Sequence, residues 1–444
     1  MKWVKRLGIV TAALLAALVA LPLLISVDDY RPRIEQEISV RLKEPVTITR
    51  LRAFVLPAPH VTAEGIVIGK DGDIKAKVMK LAIAPDVWSL LGETRVIRYI
   101  EMSGLHLSQS GMEKLAALGK SDPKAPRRPA AVRIGRVQIE DATLVFGKNS
   151  FGPFDAAVAL NAQSEPQQIT LATRDGKFNA TIKPDGGRYV IDVLAKAWRL
   201  PAGPPLLFDE LKIQGVATLT DLKTTSAQAR LYGGTVSGNT TLAWNKGAQL
   251  RGAFEVNQLD IAPLAALFSP GARISGRLSA KPAISANAAG FAQLAPALRV
   301  ESPFQVHNGV LRGVDIRKAA TSVLTRESSG ETRFDQLSGH LVMERGAQRF
   351  SNLKVASGAL SADGNVTIAA DKSLSGRINA HTGSVAAAAV PLNVSGTLDS
   401  PMLLPTGASL AGAAVGTAIL GPAGTAVGAK VGNWAEGLFG RKEK

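Results

Sequence analysis

The five histidines are the side chains of this sequence best suited to binding a metal ion or moving a proton, because the chain has no cysteine. They stand far apart in the sequence, at His60, His106, His307, His340 and His381. No two of them have the spacing with which one helix or loop presents a pair of metal ligands. The sequence therefore predicts no metal site and no bound cofactor.

Two short motifs are similar to known sites, but neither has the full pattern. Residues 65–70 imitate a phosphate-binding loop, yet the motif is one residue short and is followed by Asp71 where Ser or Thr is needed. The adjacent carboxylates Asp28 and Asp29 follow an apolar stretch and are better explained as a charge signal at its end. The sequence shows no serine nucleophile elbow and no glycine-rich dinucleotide fingerprint. We therefore predict no catalytic residue and a protein that is not an enzyme.

An uncharged apolar stretch, which begins at Leu7 and ends at Val27, predicts where the rest of the chain lies. As a helix its 21 residues would be about 31 Å long, close to the hydrocarbon thickness of a bilayer. Basic residues precede the stretch and acidic residues follow it, so we expect a single-pass membrane anchor with a cytoplasmic N-terminus and the main body across the membrane. The alternative is a cleaved signal peptide, whose apolar core is normally only about 7–15 residues long.

After this stretch the apolar pattern changes from a helical period to a strand period. A short amphipathic helix begins in the segment 29–32 and places Ile34, Ile38 and Leu42 on one face before Pro45. Alternating apolar and polar residues follow, which predicts a mainly β chain folded as an antiparallel meander with a few short helices. The hairpin turns are expected at 175–176, 184–187, 233–234, 363–364 and 371–372, and the short helices at 261–268 and 315–326.

Proline and basic residues concentrate in the segment 121–129, which predicts a linker between modules. The resulting modules are a cytoplasmic tip and anchor (1–28), a helix with a first β module (29–120), the linker (121–129), a long β region (130–405) and a glycine-rich segment (406–444). Within the β region, the sequence ISGRLSA at 274–280 is similar to LSGRINA at 374–380. This echo suggests a reused strand type in which glycine marks a bulge or bend.

The glycine-rich segment has small residues at four-residue spacing, which lets helices approach closely in a membrane. The candidate helix-packing residues are Gly412, Gly416, Gly424, Gly428 and Gly432. They predict a close-packed helical hairpin that binds a second membrane, the same membrane or a protein. A flexible tail is the alternative.

The net charge of +16 would suit a nucleic-acid-binding protein, but the basic residues are scattered and form no stripe. For an anchored chain outside the cytoplasm, anionic lipid headgroups are the more suitable partner. We therefore expect no nucleic acid as a partner and expect membrane lipids instead.

Several segments, in their order along the chain up to Pro405, resemble the AsmA family of Gram-negative envelope proteins. The segments that carry the resemblance are the apolar N-terminal stretch, 29–35 (DYRPRIE), 45–48 (PVTI), 56–59 (LPAP), 231–234 (LYGG), 304–316 (FQVHNGVLRGVDI) and 391–401 (PLNVSGTLDSP). The family has no known catalytic residues, so the resemblance transfers none to this chain.

The resemblance implies a bacterial inner-membrane protein with its body in the periplasm, related to bridge-like lipid-transfer proteins. Such proteins guide phospholipid acyl chains along an elongated, curved β-groove between the inner and outer membranes. An alternative is a scaffold or assembly factor that influences outer-membrane protein biogenesis or targets proteins to the membrane. An envelope hydrolase is a distant third.

The composition permits a groove of this kind, because an antiparallel sheet must cover its apolar face and few helices are available here to do so. Aromatic residues make up only 5% of the chain, so aliphatic side chains would line the groove. The candidate lining residues are Phe178, Ile182, Ile191, Val193, Val366 and Ile368. A sheet closed on itself as a sandwich is the alternative.

Overall fold

The computed structural model describes residues 27–56, 58–70, 72–92, 94–111, 114, 132–146, 149–201, 205–271, 273–321, 330–358, 360–382 and 389–406. The anchor before Val27, the linker at 121–129 and the glycines from 412 to 432 lie outside these residues. Within the described part, which starts at Val27, no helix is both long enough and apolar enough to cross a membrane.

The described residues are mainly β, as the alternating pattern predicts. The first strands are Val46–Thr47 (β1), Arg50–Phe54 (β2), His60–Lys70 (β3), Asp73–Pro85 (β4), Arg95–Ser108 (β5), Val132–Ile134 (β6), Arg136–Phe146 (β7), Asn149–Leu160 (β8), Pro166–Ala172 (β9), Phe178–Asp185 (β10) and Arg188–Arg199 (β11). The later strands are Leu207–Ala217 (β12), Asp221–Leu231 (β13), Gly234–Ala243 (β14), Ala248–Asp260 (β15), Ile274–Ala280 (β16), Ala283–Ala288 (β17), Arg299–Arg312 (β18), Glu331–Glu344 (β19), Ala347–Ser357 (β20), Leu360–Ile368 (β21), Leu374–Thr382 (β22), Val390–Gly396 (β23) and Pro401–Pro405 (β24).

Short α-helices interrupt the strands in the described part of the chain. They include Arg31–Leu42 (α1), Ile261–Phe268 (α2) and Ile316–Thr321 (α3), and 3₁₀ turns lie at Val27–Tyr30, Val87–Leu91 and Phe291–Gln293. The described residues 109–111 and 114, after β5, are also helical. The prediction of a helix at 261–268 is confirmed, and Asp260 begins it by accepting a hydrogen bond from Ala262 N at 3.0 Å. Of the helix predicted at 315–326, the described part runs from Ile316 to Thr321.

Helix α1 confirms the amphipathic prediction and covers one margin of the sheet. Its residues Ile34, Ile38 and Leu42 pack against a buried cluster of strand residues. Polar side chains of the same helix and of the turn before it accept hydrogen bonds from backbone N–H groups of the first strands: Asp28 from Leu51 N, Glu35 from Ile48 N and Ser39 from Val46 N. Since β1 and β2 both pair with β3, these bonds satisfy backbone groups on their outer side.

Strand pairing is mostly antiparallel, but the prediction of a wholly antiparallel meander is wrong at one place. Strand β5 pairs in parallel with β6 and with β7. Parallel neighbours need a crossover connection of about a dozen residues or more. Residues 109–131 make that connection here, and they include the predicted linker, so the sheet is mixed.

The chain forms two compact units, one made of residues up to 196 with 214–219, the other of 197–213 with residues from 220 onward. We call them the first and the second unit. The division between these two units lies near residues 197–220, and the predicted linker at 121–129 lies outside the described residues. Strands on the two sides of that segment pair with each other inside the first unit.

Most predicted hairpin turns are found, with one exception. Turns at 175–176 and 186–187 join β9 to β10 and β10 to β11. The Asp363-Gly364 pair, however, lies inside β21, so the turn predicted there is wrong. Its neighbour β20 carries a bulge between Phe350 and Leu353, which shifts the register beside this pair.

Candidate functional site

Two adjacent rows of apolar side chains cross the first unit from β2 to β11. Residues directly opposite one another on paired strands share one face of the sheet. The first row is Ala53, Val61, Ile83, Ile100, Val137, Val158, Ile169, Ile182 and Ile191. The second row is Leu51, Ala63, Leu81, Met102, Ile139, Ala156, Leu171, Ala180 and Val193.

The opposite face of the same strands is mainly polar. Between the two apolar rows, the register places Arg52, Thr62, Ala82, Glu101, Gln138, Ala157, Thr170, Thr181 and Asp192 opposite one another. The first unit therefore has one apolar face and one polar face. A continuous apolar face must be covered by something less polar than water.

Helix α1 covers the β2–β5 part of this apolar face. Leu51 and Ala63 are buried there, and Leu81 and Met102 pack against the same cluster together with Ile38 of the helix. This part of the face therefore belongs to a conventional protein core.

The part of the face on strands β7 to β11 has no such cover among the described residues. We call it the β7–β11 face, and its larger side chains are Val137, Ile139, Val158, Ile169, Leu171, Phe178, Ile182, Ile191 and Val193. All of them are half-buried, and none belongs to a hydrophobic cluster that contains a described helix. Phe154 and Phe178 contact each other at its margin with ring centroids 5.6 Å apart. The predicted lining residues of β10 and β11 thus share this face.

The β9–β10 turn holds two of these strands in register. The Thr173 hydroxyl and the Lys177 backbone N–H both donate to Asp175 Oδ1, at 2.6 and 3.1 Å. The hydrogen bond from Thr173, followed by that from the Lys177 backbone, lowers the pKa of the Asp175 carboxyl. A lowered pKa stabilises the fold above the unfolded value of about 3.9 and this contribution is lost as pH falls through the folded pKa. The Asp175 carboxylate is therefore charged at neutral pH, and its hydrogen bonds hold the turn together.

In the second unit, the corresponding apolar positions are largely covered by helices. Val366 packs against a buried cluster that includes Ile316 and Ala319 of α3. Ile368 is half-buried and lies opposite Leu374. Another cluster, around Val306, includes Ile261 and Leu264 of α2 together with Leu231, Leu278 and Phe334. Val366 and Ile368 therefore have a different environment from the lining residues of β10 and β11.

A shallow depression of about 510 Å³ lies in the second unit and is lined by polar side chains that include Glu255, Lys281 and His340. Lys281 Nζ lies 4.0 Å from Glu255 Oε1, and His340 Nε2 lies 3.3 Å from Glu301 Oε1. A hydrogen bond from Arg299, with a second from His340, lowers the pKa of Glu301. Glu255, Lys281 and His340 thus already have charged partners, and we assign no chemistry to this depression.

The histidines lie on five different strands: His60 on β3, His106 on β5, His307 on β18, His340 on β19 and His381 on β22. Among the residues that the structure describes, no three His, Asp or Glu side chains gather closely enough to hold a metal ion. The segment 65–70, which imitates a phosphate loop, is part of strand β3 and does not begin a helix. The β7–β11 face is therefore the candidate site that we consider for the function of the described part of the chain.

Comparison of the chain with protein-family models, with curated proteins and with solved structures finds no match. The proposed function therefore rests on the arrangement of side chains on the β7–β11 face.

Proposed function

We propose that the chain binds the acyl chains of membrane phospholipids on its β7–β11 face and guides them along the sheet. The observation that carries this proposal is the unbroken pair of apolar rows on β7–β11, which no described helix covers. Burying a methylene group against such a surface contributes about 0.8 kcal/mol. The burial of many methylenes can therefore offset the conformational entropy that an acyl chain loses when it binds.

The dimensions of the β7–β11 face suit one acyl chain. Five adjacent strands span about 19 Å at a spacing of about 4.8 Å per strand pair. One leaflet of a bilayer contributes about 15 Å of hydrocarbon, which is the length of one ordered acyl chain. The polar opposite face keeps the other side of the sheet in water, as an antiparallel sheet with one solvated side requires.

The resemblance to AsmA-family proteins supports the same function and adds a location. In this proposal the apolar stretch before Asp28 anchors the chain in the bacterial inner membrane, and the β units lie in the periplasm. The lipids would then pass between the inner and outer membranes. A scaffold role without lipid cargo is the competing outcome of the test below.

Photo-crosslinking from neighbouring positions on β10 tests the proposal. The full chain is purified in mild detergent with a photoreactive amino acid at Ile182 or, as a matched control, at Thr181. These two residues are adjacent in sequence but lie on opposite faces of the sheet. After irradiation, intact-mass spectrometry measures a lipid adduct, and lipids extracted from the unmodified protein are identified separately.

We expect a phospholipid adduct from position 182 and little or none from position 181. Equal adducts from both positions would show nonspecific labelling by the micelle and would contradict the proposal. Crosslinks from position 182 only to protein would favour a closed sandwich or a scaffold instead.

A further inference from the structure

Exposed large apolar side chains concentrate at one end of the strands of the first unit. They are Phe54, Leu56, Val87, Trp88 and Val132, and we call them the apolar rim. Trp88 is the most exposed of them, at 80%. Single exposed apolar residues are ordinary on protein surfaces, but a group of them marks an interaction site.

The strand register places these residues together. Phe54 ends β2 opposite His60, which begins β3. Val87 and Trp88 follow the end of β4, and the Asp86 backbone N–H donates to Val96 O near the start of β5 at 2.7 Å. Val132 begins β6 opposite Arg95. All five strands therefore present the same end of the sheet at the apolar rim.

The turn that carries Trp88 is held rigid by its own hydrogen bonds. Asp86 accepts from Trp88 N, the Ser89 hydroxyl donates to Asp86 O at 2.6 Å, and Ser89 Oγ accepts from Val96 N at 2.8 Å. On the neighbouring strands, Phe54 stacks on His60 with ring centroids 4.9 Å apart. The backbone that carries Trp88 and the ring of Phe54 are thus held in position before any partner binds, which lowers the entropy cost of binding.

Basic side chains accompany the apolar rim. Arg95 and Arg133, on neighbouring strands at this end, are exposed. Arg98 is also exposed and pairs with Asp86 at 3.3 Å. Tryptophan and other amphipathic aromatic side chains favour the boundary between headgroups and hydrocarbon, and arginines near an anionic lipid surface add attraction.

The direction of the chain at Val27 points to the same end. Asp28 is bonded to Leu51, three residues before Phe54 in a strand that runs toward the rim. Helix α1 runs the opposite way, because Glu44, after its last turn, pairs with Lys114 at 2.7 Å and Pro45 accepts from Gly69 N at the far end of β3. The described chain therefore begins, at Val27, on the rim side of α1.

We propose that the apolar rim inserts into the headgroup region of an anionic lipid bilayer and seats the first unit on the membrane. This inference rests on the proposed lipid-binding function, because it puts the lipid-binding sheet directly against a source of lipid. It concerns a different surface from the β7–β11 face and can fail separately.

The absence of cysteine from the chain allows a single-site test with the full protein. We would label Trp88→Cys with an environment-sensitive fluorophore and use Val40→Cys as the control, since Val40 is similarly exposed, at 70%, but lies on α1 away from the rim. Each protein is mixed with phosphatidylcholine vesicles, with or without phosphatidylglycerol, that carry a nitroxide on the acyl chain. Vesicle flotation and circular dichroism confirm binding and folding.

We expect severalfold stronger nitroxide quenching at position 88 than at position 40, and strongest in the anionic vesicles. Replacing Arg95 and Arg133 by Gln in the labelled protein should reduce quenching in those vesicles toward the level seen with phosphatidylcholine alone. Equal quenching at positions 88 and 40, or failure of the chain to float with vesicles, would overturn the proposal. Shielding of position 88 from aqueous iodide without nitroxide quenching would indicate a protein partner and would also overturn it.

A parallel measurement separates this proposal from the proposed function. The Trp88→Ser variant should still give the lipid adduct from position 182 in detergent, because the two surfaces are distinct. A normal yield of lipid adduct from position 182, without nitroxide quenching at position 88, refutes membrane insertion of the apolar rim alone. Nitroxide quenching at position 88 without a lipid adduct from position 182 refutes lipid binding on the β7–β11 face alone.

Discussion

At the scale of single residues, alternation along β10 and β11 places apolar side chains on one face of the sheet and mainly polar side chains on the other. Ile182 lies opposite Ile169 on one side and Ile191 on the other. Asn179 lies on the other face of β10 and is exposed. A polar substitution on the apolar face therefore places a polar group against apolar neighbours on the adjacent strand, whereas the same substitution on the polar face does not.

Ile191→Asp should abolish lipid binding and lower the free energy of unfolding by about 1–3 kcal/mol, because it places an unpaired carboxylate among apolar side chains. Asn179→Asp is the matched control and should leave both unchanged. Thermal melting measures stability, and mass spectrometry of co-purified lipid measures binding. If both variants retain lipid equally, the register of this hairpin does not define a lipid-binding face.

The Ser-Gly echo has a structural basis at Gly276, which lies at a bulge of β16 opposite β18. Gly276 has a φ of +136°, and a Cβ there would lie 2.7 Å from Val306 Cγ1. We expect Gly276→Ala to lower the free energy of unfolding by about 2–4 kcal/mol through backbone strain and overpacking. Gly176→Ala, at a φ of +68° with no atom within 4 Å, should lower it by only about 1 kcal/mol. Denaturant titration compares the two, and equal losses would show that the close contact at Val306 is unimportant.

At the scale of elements, periodicity in the sequence was sufficient where one face of the element is apolar and the other polar. The helix period predicted α1, and the strand period predicted the β9–β11 hairpins with their turns. The failures have physical causes. Asp363-Gly364 is a strong turn pair, but it lies beside the bulge in β20, a feature set by pairing with a distant segment.

The parallel pairing of β5 with β7 was missed for a related reason. A parallel crossover is usually recognised by a helix between the strands. The described residues 109–111 and 114 after β5 are helical, but the proline-rich sequence at 121–129 was interpreted as a linker between modules and hid the crossover. The apolar rim was also missed, because Phe54, Trp88 and Val132 come together only through strand pairing. The sequence signal that could have indicated the rim is the pair of large apolar residues Val87 and Trp88 in the short turn after β4.

Helix α1 stabilises the first unit by covering one margin of the apolar face, so its apolar stripe should be sensitive to change. We expect Ile38→Ser to lower the free energy of unfolding by about 1–3 kcal/mol through lost packing in a half-buried position. Val40→Ser, on the exposed side of the same helix, should change it by less than about 0.5 kcal/mol. Denaturant titration of both variants gives the comparison, and similar values would mean that α1 does not pack on the strands.

At the scale of the whole molecule, the two units differ in how helices cover the apolar side chains of their strands. In the second unit, helices α2 and α3 supply side chains to the buried clusters around Val306 and Ile378. In the first unit, helix α1 packs on the strands before β7, and none of the buried clusters joins a described helix to strands β7–β11. If lipid takes the place of a covering helix, then the position of the helices predicts where lipid binds.

A crosslinking comparison between the units tests this relation. A photoreactive residue at Ile182 should give a high yield of lipid adduct, whereas one at Val366 should give mainly crosslinks within the protein, because Val366 packs against the cluster that α3 completes. A variant with Ile316→Ser, which weakens the packing of α3, should raise the lipid adduct at position 366 and leave that at position 182 unchanged. Intact-mass spectrometry of the irradiated full chain measures each yield. High lipid adduct at position 366 in the unaltered chain would show that a described helix is no barrier to lipid and that helix cover does not decide where lipid binds.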